Sequence, residues 1–96
     1  MASSIIKRKS GIHFEQQTGS VTISTSGGNG TITLDFTAPS NALYLGTVVR
    51  FVSASNSANA INTLVPLEDY GTRSVYRVVS STAQTITITA RKFFLV

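Results

Sequence analysis

Apolar and polar side chains alternate with a period of two along most of this chain, and no stretch shows a convincing helical period. Such alternation is typical of β-strands that have one face buried. Connections between the runs are too short for parallel crossovers, so the pattern predicts an all-β, antiparallel β-sandwich or barrel of about seven strands. The runs lie at residues 12–16, 21–25, 32–36, 47–53, 61–67, 73–79 and 85–90.

Three segments predict where individual strands lie. Residues 47–53 are apolar on both faces apart from Arg50, which favours a position in the middle of a sheet. Pro66 cannot donate a hydrogen bond to a neighbouring strand, so its strand is predicted at an edge or a bulge. The sequence Ser26-Gly27-Gly28-Asn29-Gly30 tolerates positive φ angles and predicts a hairpin loop. Glu68-Asp69-Tyr70-Gly71 and Ala38-Pro39-Ser40-Asn41 are predicted turns.

Charged residues make up only 12% of the chain, and 13 serines and 13 threonines supply most of the remaining polar surface. One reading is a neutral polar surface suited to an extracellular or virion setting. The other is that part of the surface is covered, because the cores of interfaces are depleted in charge. We therefore expect a homo-oligomer. Apolar residues at both ends, Ile5 and Ile6 together with Phe93, Phe94, Leu95 and Val96, are the candidate subunit contact.

The predicted organisation is one β-sandwich domain at residues 11–96, preceded by an N-terminal arm or first edge strand at residues 1–10. That start lacks the apolar run of a signal peptide, and no stretch has the length of a membrane helix. We expect a protein made in the cytoplasm of its host, with no membrane partner. The absence of cysteine excludes disulfides, thiol nucleophiles and cysteine-based metal sites.

The candidates for catalysis are few, and we expect no enzyme, no cofactor and no metal. His13 and Glu15 are two residues apart on a predicted strand, so they share a face and could hydrogen-bond as a dyad. The one close pair of carboxylates, Glu68 and Asp69, is adjacent in sequence, and neighbouring turn residues point apart. Calcium and zinc sites need more ligands than this spacing supplies.

Several residues are candidates for binding. Arg50 and Arg77 each interrupt an apolar run, and on neighbouring strands they would form a basic spot for a carboxylate or an acidic sugar. Tyr70 is the tyrosine expected to be exposed, and it could line a sugar site with Asn56 and Asn59. Lys7, Arg8 and Lys9 form the one basic cluster in a chain of net charge +4, and the other cations are scattered. Nucleic acid is therefore not the expected partner.

The strings VTISTS, GGNG and TITLDF, the late TITITA strand and the apolar end resemble the small β-rich proteins of phage tails, fibres and receptor-binding tips. The resemblance implies a jelly-roll-like β-sandwich, trimeric, that assembles with other virion proteins and adheres to a bacterial surface glycan. The first expectation for function is thus a non-enzymatic virion structural or adhesion protein. The alternatives are a stand-alone carbohydrate-binding domain, and a capsid-type protein with a basic arm at Lys7–Lys9.

Overall fold

The computed structural model describes residues 11–23, 28–55, 61–81 and 84–96, and every regular element in these ranges is a β-strand. The strands are β1 (Ile12–Ile23), β2 (Asn29–Asp35), β3 (Leu43–Ala54), β4 (Asn62–Tyr70), β5 (Arg73–Ser80) and β6 (Gln84–Leu95). They form two antiparallel sheets: sheet A has the order β1-β6-β3, and sheet B the order β2-β5-β4. In these ranges no helix is long and apolar enough to cross a membrane.

The hydrophobic core lies between the two sheets. Sheet A supplies Ile23 from β1 and the alternate residues Ile86, Ile88 and Ala90 from β6, whereas sheet B supplies side chains from β2 and β5. Ile32, Leu34, Tyr76 and Val78 are the sheet B members, and Phe36 follows β2. We call the side of each sheet that carries these residues its inner face. The predicted alternation of β6, with Thr85, Thr87 and Thr89 on the opposite face, is confirmed.

The described ranges hold six strands where about seven were predicted, because the run at 12–16 and the described part of the run at 21–25 belong to one strand. β1 extends over twelve residues and pairs without interruption with β6, from Ile12 opposite Leu95 to Ile23 opposite Gln84. The residues between the two runs, including Gly19, have no apolar alternation of their own. Continuous backbone pairing to a long partner therefore decided the length of β1, and local patterning did not.

The expected hairpin at Ser26–Gly30 is also wrong. β1 pairs with β6 and β2 pairs with β5, so the connection passes from sheet A to sheet B. Residues 24–27 lie outside the described ranges. Within the described ranges, β4 and β5 are the one pair of consecutive strands that lie side by side. Their turn begins after Tyr70, so Glu68-Asp69-Tyr70 is strand and not turn as predicted.

β3 is an edge strand of sheet A, not a central one as its two apolar faces predicted. The central strand is β6. Two register shifts interrupt the pairing of β3 with β6, one between Tyr44 and Gly46 and one between Phe51 and Ser53. Irregularities of this kind bend an edge strand and limit pairing with further strands.

Two predictions from turn and strand chemistry are confirmed. Asn41 has a φ of 57° in the turn before β3, a conformation that asparagine tolerates better than most residues. β4 is an edge strand of sheet B, and its register with β5 shifts between Pro66 and Glu68. Proline therefore marks an edge and an irregularity, as its missing N–H requires.

Candidate functional site: the outer face of sheet A

The outer face of sheet A is built from the residues that alternate with the core on its three strands. On β6 these are the odd-numbered residues, because Phe94 and Ala90 point inward. Residues paired directly across an antiparallel sheet point to the same side, so the register extends this face to β1 and β3. Ile12, Leu95 and Leu43 form its first row, followed by Phe14 beside Phe93, and by Gln16, Arg91 and Val48.

One end of this face is apolar and exposed. We call Ile12, Phe14, Leu43, Val48, Phe93 and Leu95 the apolar outer patch. Ile12, Leu43 and Val48 are 59%, 61% and 60% exposed, and only Phe93 is partly buried. The rings of Phe14 and Phe93 lie 6.2 Å apart across the β1–β6 pair. Scattered exposed apolar residues are ordinary, but a contiguous patch is typical of a contact surface.

Beside the patch lie two arginines, Arg50 and Arg91, which we call the arginine pair. Arg50 is opposite Thr89 and Arg91 is opposite Val48, so the two are diagonal neighbours on β3 and β6. They line a shallow cavity of about 290 Å³ with Gln16, Val48, Thr89 and Phe93. Arg91 is held in place, because its guanidinium donates to Gln16 Oε1 (2.9 and 3.3 Å) and lies 4.7 Å from the centre of the Phe14 ring.

The structure does not bring Arg50 and Arg77 together, which corrects the basic spot expected from the sequence. Arg50 is on β3 of sheet A, and Arg77 is on β5 of sheet B opposite Thr31 and Val65. Both arginines are exposed on the outer faces of different sheets, with the core between them. Sequence reasoning therefore found Arg50 but missed Arg91. Arg91 could have been found from the alternation of β6, which places residue 91 on the same outer face as Thr89.

Tyr70 is 62% exposed, as predicted, although it ends β4 and does not lie in a turn. It lines a second shallow cavity, of about 370 Å³, with Asp35, Phe36, Glu68, Thr72 and Arg73. The exposed pair Arg73 Nε to Asp35 Oδ1, at 2.8 Å, lies at this cavity. Asn56 and Asn59, the expected partners of Tyr70, lie outside the described residues.

The apolar end of the chain divides between the core and the surface. Phe94 is 1% exposed within this single chain and contacts the ring of Tyr44, with ring centres 5.6 Å apart. It therefore offers no surface to a second copy, which corrects its assignment to a subunit contact. Phe93 and Leu95 lie on the outer face, and Val96 is partly buried. Ile5 and Ile6 lie outside the described residues.

A buried lysine that the sequence analysis missed connects the two sheets. Lys92 on β6 is 0% exposed, and its Nζ donates to Asp69 Oδ1 on β4 at 2.7 Å. The same nitrogen donates to the carbonyl oxygens of Tyr70 and Arg73. It also lies 4.9 Å from the centre of the Phe36 ring. A buried ammonium needs this degree of pairing, since its desolvation is costly.

Asp69 accepts hydrogen bonds on one carboxylate oxygen from several donors in addition to Lys92. Tyr44 donates at 2.6 Å, Thr47 at 2.9 Å and Ser74 at 3.2 Å. Burial raises the pKa of Asp69, but the hydrogen bonds from Lys92, Tyr44 and Thr47 outweigh it and hold that pKa below the ordinary value. Burial, with the hydrogen bond to Asp69 second, raises the pKa of Tyr44 to about 12. The cluster is fully paired and holds the sheets together.

His13 and Glu15 do hydrogen-bond, with His13 Nε2 2.9 Å from Glu15 Oε1 on the exposed part of β1. The described residues place no serine, threonine or second carboxylate in contact with this pair through any hydrogen bond. Nor do they contain a group of three or more His, Cys, Asp or Glu side chains that could hold a metal ion.

Comparison with protein-family models, with curated proteins and with solved structures finds no match to this chain.

Proposed function

We propose that this chain is a non-enzymatic virion structural or adhesion protein, of the phage tail or fibre type, that acts through homo-oligomeric assembly and surface binding. The observation that carries the proposal is the apolar outer patch. Six apolar side chains adjoin one another on one face of sheet A, and all but Phe93 are 43–61% exposed. A second copy seated on Ile12, Leu43 and Leu95 would remove the most exposed end of this surface from water and leave Val48 and Phe93 accessible at the cavity.

The low charge of the chain supports assembly. Among the described residues, the outer face of sheet A carries Arg50 and Arg91 and no carboxylate, and apart from the amide of Gln16 the rest of it is apolar or hydroxyl-bearing. Charge-poor surfaces with aromatic residues and arginine are the usual composition of interface cores. We propose a trimer, the state that the resemblance to phage tips implies.

The strand orders support the jelly-roll-like sandwich as the finer description of the fold. β1, β2, β3 and β4 alternate between the two sheets, and the first and last described strands pair side by side. Such alternation between sheets is the hallmark of wound β-sandwiches, and a hairpin meander lacks it.

Light scattering coupled to size exclusion at high micromolar concentration tests the assembly. We expect a mass of three times the 10.2 kDa chain. The double variant Leu43→Lys, Leu95→Lys places charges on two exposed positions of the patch and should give the single-chain mass. The control, Ile61→Lys with Leu67→Lys, alters two exposed apolar residues outside sheet A and should keep the trimer. A wild-type protein that stays monomeric at this concentration would contradict the proposal.

A stand-alone carbohydrate-binding domain is the second candidate, and exposed Tyr70 beside the cavity of sheet B favours it. In that case the wild type is a monomer, and Tyr70→Ala abolishes binding in a glycan array while the patch variants bind normally.

A further inference from the structure

The arginine pair is the feature of the outer face that assembly alone does not explain. Contacts between copies need the apolar outer patch, yet two cations lie next to it without a carboxylate partner among the described residues of sheet A. The three ion pairs of the described chain use His13, Arg73 and Lys92. Arg50 and Arg91 thus make no ion pair within the described chain and are available to an anion from outside.

We propose that the cavity between Arg50 and Arg91 binds the carboxylate of an acidic sugar in a surface glycan. The proposal rests on the proposed function, because it names the ligand that an adhesion protein of this shape would hold. By register the two residues are diagonal neighbours, a separation of about 7–8 Å between backbones that allows both long side chains to reach one carboxylate. Arginine binds a carboxylate through two parallel hydrogen bonds.

Arg91 is prepared for this role by its neighbours. Its contacts with Gln16 and the Phe14 ring fix the guanidinium plane before any ligand arrives. A cation that is already ordered loses less side-chain entropy on binding. Arg50 has no such support among the described contacts and would close onto the ligand from the opposite side.

The lining of the cavity fits a sugar better than other anionic partners. Phe93 and Val48 offer apolar surface to the C–H face of a pyranose ring, while Gln16 and Thr89 offer hydrogen bonds to its hydroxyls. A nucleic-acid backbone would need a longer series of cations than two, because affinity for it grows with each neutralised phosphate. The cavity is shallow and open, which suits one residue within a polysaccharide chain.

Two-dimensional NMR of the ¹⁵N-labelled full chain, titrated with hexagalacturonate, tests the site. We expect the largest shift changes at the amides of Val48, Thr89 and Arg91. A neutral galacto-oligosaccharide of the same length should cause none. Arg50→Gln and Arg91→Gln should each weaken binding about tenfold, the effect of losing one charge-assisted contact. Dextran sulfate of matched charge separates a carboxylate site from a sulfate site and should bind more weakly than the uronate.

Arg77→Gln is the matched control, because it removes an exposed arginine of equal charge from the other sheet. It should leave the affinity within about twofold of wild type. Arg50→Lys keeps the charge but loses the planar guanidinium that can donate two parallel hydrogen bonds, so it should bind several-fold more weakly than wild type. The proposal is overturned if Arg77→Gln weakens binding as much as Arg50→Gln, if the shifts centre on Tyr70, or if Arg50→Lys binds as well as wild type.

Failure of the site and failure of the assembly give different results. Arg50→Gln with Arg91→Gln should keep the oligomeric mass while binding to hexagalacturonate is lost. If this double variant instead dissociates the assembly, the arginines meet a carboxylate of a neighbouring copy, and the glycan site is refuted while assembly stands. An unchanged mass with unchanged binding also refutes the site.

Discussion

Lys92 is a charged residue at a position of β6 where the alternation predicts an apolar one, yet its side chain points inward as that alternation requires. It occupies the inner face of β6 between Ala90 and Phe94, where alternation places a side chain in the core whatever its chemistry. The alternation of β6 therefore predicted that the side chain of Lys92 points inward. It gave no information about which residue pairs with the buried charge. Only four carboxylates exist in the chain, and Asp69 reaches Lys92 because β4 extends through a segment expected to turn.

The first prediction concerns this ion pair. Asp69→Asn should lower the free energy of unfolding by about 2 kcal/mol, because Lys92 remains buried without a countercharge. Urea denaturation followed by circular dichroism measures the change. Asp35→Asn is the control, since it removes an exposed pair with Arg73 and should have a much smaller effect. Equal effects of the two variants would show that burial of Lys92 is not what makes Asp69 important.

The second prediction is that acid lowers the stability of the fold by protonating Asp69. The pKa of Asp69 is lower in the folded chain than its ordinary value of 3.8, so the unfolded chain takes up the proton first as pH falls. The stabilisation from Asp69 is therefore complete above about pH 4 and is lost as pH falls through the folded pKa. Urea midpoints between pH 6 and pH 2 should fall more steeply for wild type than for Asp69→Asn. Parallel curves would contradict the assigned hydrogen bonds.

At the scale of strands, β1 and β2 approach each other closely where each has a glycine facing the core. A Cβ on Gly19 would lie 2.6 Å from Leu34 Cδ2, and one on Gly30 would collide with Val21 Cγ2 and Ile23 Cδ1. These edge strands belong to different sheets, so small residues allow the sheets to come together there. Gly30 was expected in a hairpin loop, because the sequence does not show which distant residues pack against it.

The third prediction follows from this approach. Gly30→Ala should destabilise the fold by about 1–3 kcal/mol, since stiff, β-branched Val21 cannot move away without strain. Thermal unfolding followed by circular dichroism measures the loss. Gly71→Ala is the control, because its Cβ would meet only ordinary contacts, at 3.6 Å from Phe94 and 3.8 Å from Tyr44. A Gly30→Ala protein as stable as Gly71→Ala would rule out the tight β1–β2 contact.

For the molecule as a whole, the sequence predicted the antiparallel architecture and the edge position of β4, but not that β3 also lies at an edge. Periodicity reports how one strand divides its two faces, and it carries no information about partners far along the chain. β3 is apolar on both faces yet lies at an edge, and its exposed Val48 and Val52 belong to the surface. For the same reason Arg50 was paired with the wrong arginine.

The fourth prediction links assembly to stability. If copies associate only when folded, mass action raises the unfolding midpoint with protein concentration. Urea midpoints of the wild type should therefore increase between 1 and 100 µM, and those of the Leu43→Lys, Leu95→Lys variant should not. The Ile61→Lys, Leu67→Lys variant should behave as wild type. A midpoint independent of concentration in all three proteins would contradict stabilisation by association.

The central position of β6 has a consequence for how the chain folds. Thr18 hydrogen-bonds Thr89, 71 residues away, and both β1 and β3 depend on β6 for their backbone partners. Sheet A therefore cannot form before the last described strand has been synthesised, and contacts of such long range fold slowly. Until then, the apolar side chains of β1 and β3 remain open to other nascent chains. Fast translation through β6 would shorten this interval, and a chaperone bound to the nascent chain would cover the apolar side chains during it.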